Sequence, residues 1–171
     1  MIVRAAMFGT VAAIVLASPA KAQTRKAELQ ELVFGTCSKI LEGSVSLDNP
    51  AQVAELGFIS TTPRETLGGK LPRVEKGIGS EKVVLSSGPG SCSVWFGGPD
   101  NPALAGGIVE RAFAEKLLGS TQPQRLGDGT MVFIFRDKPA KRSVVVFLGD
   151  AGGELGFAPA TTVVVMTEKD Q

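Results

Sequence analysis

Apolar and polar positions along this chain form two helical stripes, a short capped segment, and three dense apolar runs near the end. Over 24–43, Leu29, Leu32, Val33, Thr36, Cys37, Ile40 and Leu41 recur at spacings of three and four. Arg25, Glu28, Glu31, Ser38, Lys39 and Glu42 take much of the rest. One apolar stripe beside one wet face predicts a helix that packs by a single side, with Gly43 as its stop. "LDNPAQVAELGF" predicts a short second helix. Asp48 or Asn49 caps it, Pro50 suits its first position and Gly57 closes it. A third helix is predicted from Asp100 or Asn101 to near Leu118, with Gly119 as stop. Leu104, Ala105, Ile108, Val109, Ala112, Phe113 and Leu117 form its buried face, and Glu110, Arg111, Glu115 and Lys116 its solvated one. Gly106-Gly107 costs about 1–2 kcal/mol of helix propensity, so this pair is expected to mark close packing on a sheet or a kink.

The remaining segments read as strands and connections. A short strand is predicted over 58–62. The stretch 63–82 is charged and glycine-rich and reads as a long surface connection. A structureless loop of that length implies either a function or an element the pattern hides. Segments 83–86 and 92–96 flank "SGPG" and predict a hairpin. "MVFIFR", "SVVVFLG" and "TTVVVMT" are apolar at consecutive positions, which predicts strands covered on both faces. "DKPAKR" joins the first two of these closely enough for an antiparallel hairpin. The predicted fold class is α+β: an antiparallel sheet of about five strands, two to three helices packed on it, and one disulfide.

The beginning of the chain changes where this domain is expected to work. Arg4 precedes an apolar run over 5–17, followed by Pro19 and Ala20-Lys21-Ala22. That order predicts a secretory signal peptide over 1–22, cleaved after Ala22. Its apolar run is shorter than the ~20 residues of a membrane-crossing helix. Segment 23–171 then forms one domain, periplasmic or secreted, with 16 basic against 17 acidic residues. This balance suggests neither nucleic acid nor an anionic membrane as partner.

Composition also removes activities. The chain has no histidine and no tyrosine, which excludes Ser-His-Asp and Cys-His catalysis, histidine-ligated metals and a tyrosine acid. Chemistry would fall to carboxylates, lysines, arginines, hydroxyls or two thiols. Neither G-x-S-x-G nor S-x-x-K occurs after the leader. No cofactor is expected.

Two cysteines remain. In "GSCSVWF", strand alternation puts Cys92, Val94 and Phe96 on one apolar face and Ser91, Ser93 and Trp95 on the other. Cys37 lies on the first helix's apolar stripe. If that helix packs on that sheet, the sulfurs meet, and export supplies the oxidising surroundings. A Cys37–Cys92 disulfide is therefore expected. A redox-active pair would need exposure and C-x-x-C spacing, two thiolates make a poor metal site, and two free thiols are the other outcome.

Candidate contact residues are few. Trp95 is the one large aromatic predicted off the main core face, where it either stacks on a ligand or packs beneath a neighbouring element. "RDKPAKR" gathers Arg136, Lys138, Lys141 and Arg142 at one hairpin tip, as an acidic partner or a solvated turn would require. "GDAGGELGFAP" over 149–159 could hold an anion on its backbone, or calcium through Asp150 and Glu154, but matches neither the phosphate-loop nor the calcium-loop spacing. The carboxylates Glu110 with Glu115, or Asp128 with Asp137, could in principle serve a glycosidase.

"FGTCSKI", "AELGF", and "SCSVWF" followed by the proline-capped "DNPALAGGIVERAFAEKLL" together resemble a loose class of small exported alphaproteobacterial proteins. The resemblance covers 29–119. It implies export and the disulfide, and no activity. The expected function is a non-catalytic binding or structural domain outside the cytoplasm, partnered by another envelope protein or a glycan. An envelope hydrolase of carboxylate or lysine chemistry on cell-wall or glycan material is the alternative, and an inhibitor or immunity-type protein a third reading.

Overall fold

The computed structural model describes residues 19–66, 69–77, 81–98, 100–119, 122–149 and 160–168. Most of the predicted leader and the 150–159 part of the last glycine-rich connection lie outside them. The first helix is three pieces in one rod: α1 (Pro19–Glu31), a π-helical turn (Leu32–Thr36) and α2 (Cys37–Leu41). The wider π turn is the physical answer to an overcrowded apolar stripe. It lets Leu32, Val33, Phe34, Thr36 and Cys37 all be buried, more adjacent positions than an α-helix of 3.6 residues per turn aims at one surface. The short helix α3 (Pro50–Glu55) is capped as expected: the Asn49 side chain accepts from the backbone N–H groups of Ala51 and Gln52, and Pro50 opens the first turn.

The sheet is larger than the sequence predicts. Among the described residues, nine antiparallel strands replace the expected five or so, and a separate two-stranded ribbon is added. In chain order they are β1 (Ile59–Ser60), β2 (Arg64–Thr66), β3 (Gly69–Leu71), β4 (Arg73–Lys76), β5 (Val83–Gly88), β6 (Ser91–Gly97), β7 (Leu118–Gly119), β8 (Gln124–Arg125), β9 (Met131–Asp137), β10 (Arg142–Gly149) and β11 (Ala160–Thr167). The main sheet runs β1-β4-β5-β6-β11-β10-β9-β7, with β8 also pairing β9, and β2 pairs β3. The extra strands have two to four residues, below the length at which alternation can be read. Three of them, β2, β3 and β4, occupy the stretch expected to be a surface connection. The predicted hairpins β5–β6 and β9–β10 form, and β11 pairs both β6 and β10.

Helix α4 (Asn101–Ala114) and the α1–α2 rod cover one face of this sheet. Val74, Leu85, Cys92, Val94, Phe96, Val163, Val165, Val144, Val146 and Phe135 point into that layer and are at most 1% exposed. Cys37 and Cys92 are bonded there, with Cα atoms 5.5 Å apart, tying α2 to β6. The expected staple and the expected inward face of β6 are both present.

Gly106-Gly107 packs against a helix rather than the sheet. An added Cβ at Gly107 would run into the aliphatic stem of Lys26. The Gly107 carbonyl accepts from Gln30 Nε2 at 2.7 Å, and Lys26 Nζ bridges to Glu110 at 2.6 Å. Gly107 therefore lets α1 and α4 approach closely. Gly106 has open space where its Cβ would stand. Gly106→Ala is accordingly expected to stabilise the fold by about 0.5–1 kcal/mol through helix propensity. Urea unfolding checks this; a lowered midpoint would contradict the open space.

Candidate functional site

Among the described residues, helices cover one face of the sheet and leave the other without a helix. Reading across the register, one row is Val132, Phe147, Thr162, Trp95 and Val84. The next is Ile134, Val145, Val164 and Ser93, and the next Arg136, Ser143, Met166 and Ser91. An antiparallel sheet with one solvated face ordinarily alternates apolar-in with polar-out. Here most outer positions of β9, β10 and β11 (Val132, Ile134, Val145, Phe147, Val164 and Met166) are apolar too, which is why their runs read as unbroken.

The two halves of this face differ. Over β5 and β6 the surface is closed: Val84 is fully buried and Trp95 is 7% exposed. The β2–β3 ribbon contacts β5 here, and its Arg64 guanidinium lies 5.6 Å from the centre of the Trp95 ring. Such a cation over an indole face contributes about 0.5–1 kcal/mol or more when desolvated. Trp95 thus packs beneath a neighbouring element. Over β9–β11 the expectation of coverage on both faces does not hold. Val132 and Val145 are buried, but Ile134 is 39% and Met166 37% exposed, with Val164 and Phe147 half-buried between them.

The basic tip of the β9–β10 hairpin borders this open half, and its four cations divide. Arg142 turns inward: its Nε donates to Asp137 Oδ2 at 2.9 Å, and its guanidinium also bonds the Ser38 hydroxyl on α2. It fastens the tip to the rod. Arg136 projects from the open face, with Glu168 3.9 Å away, and Lys138 and Lys141 are exposed. Of the five side chains named as a contact surface, Arg136, Lys138 and Lys141 stay accessible at one end of the molecule. Trp95 lies under the ribbon, and Arg142 is a fastening.

The candidate acid pairs are not brought together as pairs. Glu110 bonds Lys26, and Glu115 bonds Arg111 at 2.6 Å, so both serve helix surfaces. Asp137 holds Arg142. Asp128 accepts from the Thr130 backbone N–H at 2.9 Å in the turn before β9. That hydrogen bond, and then one from the Thr130 hydroxyl, hold its carboxyl below the ordinary aspartate range. A group whose pKa falls on folding stabilises the fold above its unfolded pKa, and that contribution is lost as pH falls through the folded one. Following the Asp128 carboxyl carbon by NMR should place its midpoint below that of an unfolded aspartate. A midpoint at or above it would mean the turn does not hold the carboxylate.

Among the described residues, no three cysteine, aspartate or glutamate side chains gather as metal ligands, and no helix is long and apolar enough to cross a membrane. A furrow of about 680 Å³ lies between α1 and α4, edged by Gln23, Lys26, Gln30, Asp100, Leu104 and Glu110. The Lys26–Glu110 ion pair lies within it, and it opens broadly to solvent. No family model, curated protein or solved structure matches this chain.

Sequence reasoning missed the open half of the face because consecutive apolar residues were read as two-sided burial. The signal lay in Met166 and Ile134, which fall on the same side as Arg136 once the β9–β10–β11 register is set.

Proposed function

We propose that this chain is an exported, non-catalytic binding domain whose contact surface is the open half of the helix-free sheet face. Its partner is another protein of the same compartment, one that presents carboxylates around an apolar centre. The observation that carries this reading is the apolar patch of exposed Ile134 and Met166 with half-buried Val164 and Phe147, set around the buried Val145 and bordered by Arg136, Lys138 and Lys141. Contiguous exposed apolar surface with a polar rim is the usual mark of a protein contact, and a basic rim favours an acidic counterpart through faster, salt-sensitive association. The fully buried disulfide supports export, because such bonds persist in oxidising compartments.

The test compares the exported wild-type protein with Ile134→Glu and Met166→Glu as baits in envelope extract. Both substitutions fall on exposed positions and should leave the circular dichroism unchanged. A partner captured by wild type, released by salt and lost with either variant supports the proposal. Equal capture by all three baits, or turnover of a glycan panel by the wild-type protein, refutes it.

A further inference from the structure

Among the described residues, three buried side chains, Ser86, Asn101 and Thr161, carry polar atoms with no hydrogen-bond partner, and two of them lie at one end of the helix-covered layer. Asn101 and Thr161 are both 0% exposed, and neither the Asn101 Nδ2 and Oδ1 atoms nor Thr161 Oγ1 has a hydrogen-bond partner. The topology places them at one corner. Strand β6 ends at Gly97, which pairs with Ala160 at the start of β11, and Thr161 pairs with Phe96. The chain leaves β6 directly into α4, and the Asn101 backbone N–H bonds back to the Gly98 carbonyl at 3.0 Å. Thr161 shares the inward side of β11 with Val163 and Val165, the side that α4 covers. Arg25 reaches the same corner from α1, donating from Nη2 to the Gly97 carbonyl at 2.8 Å.

An asparagine amide offers two donors and an acceptor, and a threonine hydroxyl one donor and acceptor lone pairs. Leaving such groups dry in an interior is unfavourable enough that nearly all find a partner. A buried water typically makes two to four hydrogen bonds to groups of this kind. We infer that the corner where β6, β11 and α4 meet is an internal hydration site, holding one or more long-lived waters on the Asn101 amide and the Thr161 hydroxyl. The site is independent of the contact surface proposed above, which lies on the opposite face of the sheet.

Substituting Thr161 decides the matter through a sign. Valine has nearly the same shape and lacks only the hydroxyl. If Thr161 holds a water, Thr161→Val strands that water and the melting temperature falls by a few degrees, while Thr161→Ser retains the water. If the hydroxyl is dry, Thr161→Val removes an unpaired polar group and the melting temperature rises. Water-to-amide cross-relaxation NMR on the full chain gives a second readout. The Asn101 side-chain amide should show cross-peaks to slowly exchanging water in wild type and Thr161→Ser. A melting temperature raised by Thr161→Val, or absence of those cross-peaks in wild type, overturns the inference.

Discussion

Replacing both bonded cysteines, Cys37→Ala with Cys92→Ala, is expected to lower stability by about 4 kcal/mol, or roughly 10 °C in melting temperature. The bond closes a loop of 55 positions between the rod and the middle of the sheet. In the chain-entropy view its absence frees the unfolded chain more than it disturbs the folded one. Typical domain stability is ~5–15 kcal/mol, so this one link is a large share of the whole. Both sulfurs are fully buried. Dithiothreitol should therefore leave the native protein oxidised and reduce it only when denaturant opens it. Urea titration of the variant and timed alkylation of the wild type measure the two effects. A variant as stable as wild type, or rapid reduction without denaturant, would remove the staple from the account of this fold.

Phe135→Ala is expected to cost about 3–5 kcal/mol, the range for truncating a fully buried aromatic ring. Phe135 lies on the inward side of β9 with no exposure. Its ring meets Phe113 of α4 edge-on, with centroids 5.2 Å apart. It also abuts Gly119 in β7, where an added Cβ would strike the Phe135 ring and the Ile134 carbonyl oxygen. One side chain thus joins the far end of α4, the sheet and an edge strand. Phe113 is partly exposed, so Phe113→Ala should lose less. The double variant should reveal a coupling of about 0.5–1.5 kcal/mol for the ring pair. A loss near 1 kcal/mol for Phe135→Ala would mean that this end of the core is loosely packed.

The legible parts of this fold are those written in periodicity. The inward face of β6, the capped start of α3 at Asn49 and Pro50, the two hairpins and the meeting of Cys37 with Cys92 all follow from spacing and side-chain chemistry. The illegible parts share a physical cause. Strands of two residues, such as β7 and β8, owe their existence to neighbours that offer free backbone groups, so their own side chains carry little pattern. The π turn at Leu32–Thr36 is likewise not spelled out by periodicity, although the crowding of buried residues at 32–34 and 36–37 is its visible trace. Gly106-Gly107 suggests a sheet contact or a kink; instead only Gly107 is close-packed, against the Lys26 stem on α1, a neighbour that tertiary structure alone names. Of the contact residues, Arg136, Lys138 and Lys141 are accessible where the tip was expected. The apolar surface beside them became visible only through register, because a run such as "TTVVVMT" does not say which of its two sides is left open.

The strand order has a consequence for assembly of the chain. Strands β4, β5 and β6 follow one another as neighbours, and so do β9, β10 and β11, so each half of the sheet is a local meander that can form early. The seam between them, β6 against β11, joins the middle of the chain to its last strand. Until that strand is in place, β6 and β10 each present an unpaired edge of seven or eight residues, long enough to recruit another chain. A polypeptide cut short before Ala160 would therefore be prone to aggregate rather than fold to a smaller domain.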